Sequence, residues 1–193
     1  MPETRVILKN CGIIDPSSIN SYIENDGFVG LDRALKMSPT DVIEEIKKSG
    51  LRGRGGAGFP TGIKWDMTGK APGDEKYVLC NADEGEVGTF KDRYIIENDP
   101  FSLVEGVAIA SYAVGAKKAF IYLRAEYNYL LEKLNNAIEQ TRKKGYLQSA
   151  GVDIEVFEGA GAYICGEESA LIESIEGKRG EVRYRPPFPP TEG

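Results

Sequence analysis

Ala119-Phe120-Ile121-Tyr122-Leu123, bounded by Lys117-Lys118 and Arg124, is the stretch whose reading decides the fold. A short, unbroken apolar run between charged residues is the pattern of a strand buried on both faces. Tyr77-Val78-Leu79-Cys80 reads the same way, and Ile154-Glu155-Val156-Phe157 reads as a third strand. Helical patterns follow each strand. Asp99-Pro100 opens one helix, with Leu103, Val104, Val107, Ala108 and Ser111 at packing spacing; a second runs from about Glu126 to Lys144; a last runs from Glu167 to Glu176. Strand and helix in alternation predict an α/β fold, a mostly parallel sheet with flanking helices. Right-handed crossovers then gather the loops Asn81–Thr89, Arg124–Tyr127 and Gly159–Gly166 on one sheet edge, where such sheets bind ligands.

Upstream, Ser38-Pro39-Thr40-Asp41 supplies an N-cap serine, a proline at the first helical position and an acid three residues after the cap. Val42, Ile43 and Ile46 share a face, and Gly50 ends that helix. Residues 1–37 form a lead-in: Val6-Ile7-Leu8, a turn at Asp15-Pro16-Ser17-Ser18, then a mixed stretch broken by Gly27 and Gly30. Residues 38–193 form the α/β domain. Its tail, Arg185-Pro186-Pro187-Phe188-Pro189-Pro190, is expected to be extended, because proline disfavours helix for itself and its predecessor.

Composition narrows the chemistry. The 193 residues carry a net charge of −6, which argues against a nucleic-acid partner. No apolar run approaches the roughly 18 residues of a membrane span, and Met1-Pro2-Glu3-Thr4-Arg5 lacks the apolar core of an export signal. With no histidine, His-based acid–base catalysis and His-ligated metals are excluded. Cys11, Cys80 and Cys165 are scattered and odd in number, which fits core thiols in a reducing cytoplasm and offers no metal site.

Three segments remain for ligand chemistry. Gly53-Arg54-Gly55-Gly56-Ala57-Gly58 matches G-x-G-x-x-G but follows a helix, not a strand, and Phe59-Pro60-Thr61-Gly62 argues against a helix continuing from it. Its glycines let backbone N–H groups approach a phosphate or flat ring, with Arg52, Arg54 and Lys64 supplying charge; the other reading is a flexible surface loop. Asn81-Ala82-Asp83-Glu84-Gly85-Glu86 sets three carboxylates after a strand. It is either a solvated acidic loop or an acceptor for a flavin, a ribose or a nicotinamide amide, and it lacks calcium-loop spacing. Gly159 to Glu168 resembles a backbone nest feeding a helix N-terminus, a natural anion site, where Glu167 and Glu168 can equally be plain dipole partners.

Together, Leu51 to Trp65, Asn81 to Arg93 and Gly159 to Glu168 resemble the flavin subunit of NADH:quinone oxidoreductase (respiratory complex I) and the homologous diaphorase subunit of NAD-linked hydrogenases. Glu176-Gly177 and Pro186-Pro187-Phe188-Pro189 continue the pattern. The resemblance implies a Rossmann-like FMN-binding domain of non-standard topology. FMN is then held by Gly53, Arg54, Gly55, Lys64, Asn81, Asp83, Tyr163, Gly166 and Glu167. NAD(H) faces Gly56, Phe59, Glu84, Glu86, Glu168, Arg185 and Phe188, with Glu84 and Glu86 positioning the nicotinamide rather than acting as acid or base. Hydride passes to the flavin, so the cofactor carries the chemistry. The family pattern also implies a longer chain, with a [4Fe–4S] cluster beyond residue 193. Expected partners are a small [2Fe–2S] ferredoxin-like subunit and a larger iron–sulfur or hydrogenase subunit. The alternative is a nucleotide-binding or assembly module of the same complex without redox activity of its own.

Overall fold

The computed structural model describes residues 4–192; Met1-Pro2-Glu3, part of the reading against an export signal, and Gly193 lie outside the described residues. The sheet is the expected one. Strands β1 (Tyr77–Ala82), β2 (Lys118–Leu123) and β3 (Asp153–Glu158) are parallel, in the order β1-β2-β3. The register runs Tyr77, Lys118 and Asp153 abreast at one end and Ala82, Leu123 and Glu158 abreast at the other. All three strands therefore finish level, and their following loops share one edge.

Side-chain alternation assigns the two faces. Ala119, Ile121 and Leu123 of β2, Ala82 of β1 and Ile154 of β3 join the main core, with Val78, Cys80 and Val156 packed against it. On the other face Tyr122 meets Cys165 and Leu171, flanked by Leu79 and Phe157. Helix α6 (Pro100–Val114) is apolar nearly all round because it is the hub of the main core, touching β1, β2 and several helices. Asp99 caps it by accepting from Ser102 N at 3.1 Å, and Gly115 ends it in the left-handed region. Ile121 and Leu123 are fully buried; truncating either to alanine costs about 2–5 kcal/mol.

The lead-in folds into turns and two short helices, α1 (Ile19–Glu24) and α2 (Val29–Ala34). Ile14, Ile19, Tyr22, Phe28 and Leu31 enter the main core. A buried carboxylate fastens them. Glu105 accepts from Tyr22 OH at 2.5 Å and from the N–H groups of Phe28 and Leu31 at 2.9 Å each. Asn10 donates to buried Asp99 at 2.8 Å. Helix α3 (Pro39–Ser49) has the expected Ser38 cap and Gly50 stop.

Five elements differ from expectation. Helix α4 (Thr61–Lys70) starts directly after Pro60, at the residues read as helix breakers. Gly62 is needed there because a Cβ would lie 2.6 Å from Lys47 N of α3. Helix α5 (Lys91–Asn98) has no counterpart among the expected elements. The helix expected from Glu126 begins at Leu131 as α7 (Leu131–Lys143), because Ala125–Leu130 forms a 3-10 segment in which Tyr127 leaves helical geometry. A short α8 (Tyr146–Ala150) precedes β3, and α9 (Glu168–Ile175) follows it. Finally, the tail bends rather than running extended. Arg185–Pro186 and Pro186–Pro187 are cis, and Thr191 N closes a turn on Phe188 O at 2.8 Å. Proline excludes helix there, but it does not impose extension.

Candidate functional site

The three loops after the strands lock together at the level edge of the sheet. Asn81 Nδ2 donates to Gly166 O at 2.8 Å, joining the end of β1 to the nest after β3. Tyr163 OH donates to Glu86 Oε1, the second tie between those loops, and this bond pushes the Tyr163 hydroxyl pKa up. From the middle loop, Arg124 Nη1 donates to Glu84 O at 2.7 Å and Tyr127 OH to Glu84 Oε2 at 3.0 Å. Beside Gly166 lies Asp83, whose Oδ2 is buried without a hydrogen-bond partner among the described residues. Burial raises the Asp83 pKa, Arg124 opposes the rise and Glu126 adds to it.

A second constellation centres on the start of α9. Glu167 caps that helix, its Oε2 accepting from Ser169 N at 2.9 Å and Ala170 N at 3.1 Å. Burial pushes its carboxyl up, yet the bonds from Ser169 and Ala170 and the charge of Arg185 outweigh this, and the net shift is downward. Glu168 sits between two cations, Lys64 Nζ at 2.7 Å and Arg185 Nη2 at 3.0 Å, and Arg185 also reaches Glu167. Lys64 comes from α4, so α4 hinges the glycine loop onto this cluster. The loop is pinched at its base by the antiparallel bridge Arg52–Pro60 and by Gly53 N donating to Phe59 O at 3.0 Å. Above the pinch, Cβ atoms at Gly55, Gly56 and Gly58 would meet nothing within 4 Å, so the loop presents bare backbone to open space.

Comparison with known proteins decides the family. A model described as the Nuo51 FMN-binding domain matches residues 46–192. The chain belongs to that family. It is 54% identical over 182 residues to an NADH-quinone oxidoreductase subunit of Aquifex aeolicus, covering 91% of this chain and 42% of the relative. It is 49% identical to the NADP-reducing hydrogenase subunit HndC of Solidesulfovibrio fructosivorans, covering 99% of this chain and 40% of the relative. The crystal structure of an NAD+-reducing [NiFe]-hydrogenase in its H2-reduced state superposes with a TM-score of 0.78 at 47% identity, over 83% of this chain and 29% of that one. The chain spans less than half the length of these relatives.

Among the candidates read from the sequence by family resemblance, Asn81, Asp83, Glu86, Tyr163 and Gly166 meet at the sheet edge, and Lys64, Glu167, Glu168 and Arg185 form the adjoining ion cluster. Arg54 is exposed in the glycine loop, as are Phe59 beside it and Phe188 at the start of the tail's turn. Glu84 is placed differently. Its side chain is 1% exposed and turned inward, accepting from Asp92 N at 2.9 Å at the start of α5 and from Tyr127. It therefore shapes the acidic loop from beneath. Sequence reasoning misses Arg124 and Tyr127 as individual residues, although it places their loop on the ligand edge. The available signal is Arg124-Ala125-Glu126-Tyr127 directly after a strand, three polar groups where α7 is expected to begin.

Proposed function

We propose that this chain binds FMN at the level edge of its sheet and positions NADH for hydride transfer, with the electrons leaving to iron–sulfur clusters outside the chain. The observation that carries the reading is Asp83 Oδ2, a buried acceptor with no partner among the described residues, beside the Gly166 backbone. Buried polar atoms are almost always satisfied, so a ligand donor belongs there. The open glycine loop fits the same occupant, since bare backbone can close on a flat ring or a phosphate.

When bound, FMN supplies the hydride acceptor, and the chain's residues bind and orient. Gly53 and Gly55 offer backbone, Arg54 and Lys64 offer charge to the phosphate, and Asn81, Asp83, Tyr163, Gly166 and Glu167 surround the remainder. Phe59 and Phe188 offer exposed rings for the adenine, near Gly56. Glu168 and Arg185 serve the adenosine ribose, and Glu86, held by Tyr163, serves the nicotinamide. Glu84 acts on the nicotinamide only through the loop it supports. The ion pairs of Glu168 are partly exposed, and such pairs are worth only about 0–1 kcal/mol. Opening them for a nucleotide is therefore inexpensive. No step needs a protein acid or base, and a histidine-free sequence is compatible with that.

The partners that suit this role are a small [2Fe–2S] ferredoxin-like subunit and a larger iron–sulfur or hydrogenase subunit, and a [4Fe–4S] cluster belongs to sequence outside this chain. No helix among the described residues is long and apolar enough to cross a membrane, and a cytoplasmic location goes with the proposed partners. The test is anaerobic addition of NADH to protein carrying FMN. Bleaching of the visible flavin band supports the reading. A folded protein that keeps no flavin is instead a nucleotide-binding or assembly module.

A further inference from the structure

Arg124 follows β2 directly, and its guanidinium is spent on the protein. Nε and Nη2 donate to the two carboxylate oxygens of Glu126 at 2.9 and 2.8 Å, and Nη1 donates to Glu84 O at 2.7 Å. The bidentate pair fixes the guanidinium plane, a geometry that lysine cannot reproduce. The same Nη1 lies 3.0 Å from where Gly85 would carry a Cβ, and the Tyr163 ring lies 2.8 Å from that point. Gly85 thus has no room for a side chain on that side, and both groups occupy the space its missing Cβ leaves. On one side of it stands Glu84, whose carboxylate reaches the start of α5 and Tyr127. On the other stands Glu86, which receives the Tyr163 hydroxyl. Asp83, whose buried oxygen has no partner among the described residues, precedes them.

We propose that Arg124 is a positioning residue of this site. Fixed by Glu126, it holds the Asp83–Glu86 loop through the Glu84 carbonyl, filling the space that Gly85 leaves without a side chain, so that Glu86 meets Tyr163 and the buried Asp83 oxygen faces the ligand. The inference rests on the flavin and nicotinamide reading above. Arg124 itself makes no ligand contact; it acts through the loop.

The experiment uses the full-length subunit carrying this sequence, with Arg124→Gln, Arg124→Lys, Gly85→Ala and the double variant Gly85→Ala/Arg124→Gln. FMN affinity, kcat and KM for NADH at saturating FMN, and melting temperature are measured for each. Losing a hydrogen bond that involves a charged group is worth about tenfold or more. Arg124→Gln should therefore lower FMN affinity and kcat by about tenfold each. KM for NADH should hold, because the adenosine contacts lie on Phe59, Glu168 and Phe188. Arg124→Lys should fail to restore either quantity, since charge without the fork leaves the loop free. Gly85→Ala should cost less in the Arg124→Gln background than alone, because one of the two groups it strikes is gone. An Arg124→Lys protein that behaves as wild type, strictly additive effects, or losses that only track melting temperature would overturn the proposal. Wild-type protein that takes up no FMN would overturn the functional reading instead, a result visible before any variant is made.

Discussion

Replacing Asp83 by asparagine should stabilise the protein and weaken its ligand binding at once. The carboxylate oxygen Oδ2 is buried without a partner among the described residues, and burial holds the carboxyl pKa above its usual range despite the nearby Arg124. A folded pKa above the unfolded value means that the native state binds the proton more tightly. The stability from this group is then full below the unfolded pKa of about 4 and is lost as pH rises through the folded value. At neutral pH the ligand-free protein bears that loss. Asparagine keeps the shape, and a neutral amide is easier to bury than a carboxylate. The amide is itself left unpaired there, so the gain is only the extra cost of burying a charged group over a neutral one, about 1–3 kcal/mol. Because Asp83 is only partly buried and keeps some attraction to Arg124, the low end applies. About 1 kcal/mol corresponds to a rise of about 2–4 °C in melting temperature for a chain of this size. That gain should shrink as pH falls through the raised folded pKa and be gone at the unfolded value of about 4, where the carboxyl is protonated in both states. FMN should meanwhile lose a charged acceptor, worth about 1.5–3 kcal/mol or about 10- to 100-fold in affinity. Thermal melts across pH and FMN fluorescence titrations read the two effects separately. If melting temperature and FMN affinity fall together, the carboxylate is structural and the reasoning fails; unchanged FMN affinity refutes it equally.

Gly55→Val should leave the melting curve intact, since a Cβ at Gly55 meets nothing within 4 Å, yet it should abolish FMN quenching by placing a branched side chain where the ligand approaches. Equal quenching by both proteins would return the loop to a plain surface role. Glu86→Gln loses the charged acceptor of the Tyr163 hydroxyl, so stopped-flow flavin reduction by NADH should slow by about 10- to 100-fold at unchanged flavin occupancy. An unaltered rate would make Glu86 a solvated carboxylate. Glu168→Gln should weaken NADH modestly and improve NADPH use, with the gain shrinking as salt rises. Unit charges about 4 Å apart interact by roughly 4 kcal/mol at an effective dielectric near 20, but Lys64 and Arg185 already offset Glu168. The gain in the NADPH to NADH ratio of kcat/KM should therefore be only several-fold. A ratio that stays put while NADH use falls places selectivity elsewhere.

The sheet is legible in the sequence because β1 and β2 are built on compact apolar runs and β3 on Ile154, Val156 and Phe157 around Glu155, each between charged or glycine-rich breaks, and parallel order follows from the helices between them. Helices α3 and α6 announce themselves through Ser38-Pro39 and Asp99-Pro100, local signals that tertiary contacts reinforce. Helix α4 does not, since Thr61 to Lys70 contains Gly62 and Gly69 and no clean apolar stripe; it exists because Gly62 lets α3 pack against it. Helix α5 is short, and the carboxylate at its start, Glu84, comes from outside its own first turn. The same fact hides the inward orientation of Glu84, because nothing in Asp83-Glu84-Gly85-Glu86 says which acid turns to the core. Tyr127 and Arg124 make that choice, and both lie on a different strand's loop. The glycine loop, the acidic loop and the nest are readable as segments. Their meeting is readable only through the level strand ends.

On the proposed reading, the level edge of this sheet holds one FMN per chain, with Asp83 as a direct acceptor. Equilibrium titration of FMN fluorescence with the full-length subunit and its Asp83→Asn variant tests it most directly. The expected result is saturable quenching at one FMN per chain, with affinity falling about 10- to 100-fold in a variant that melts no lower than wild type. Absence of saturable quenching, or equal affinity in the two proteins, would contradict it.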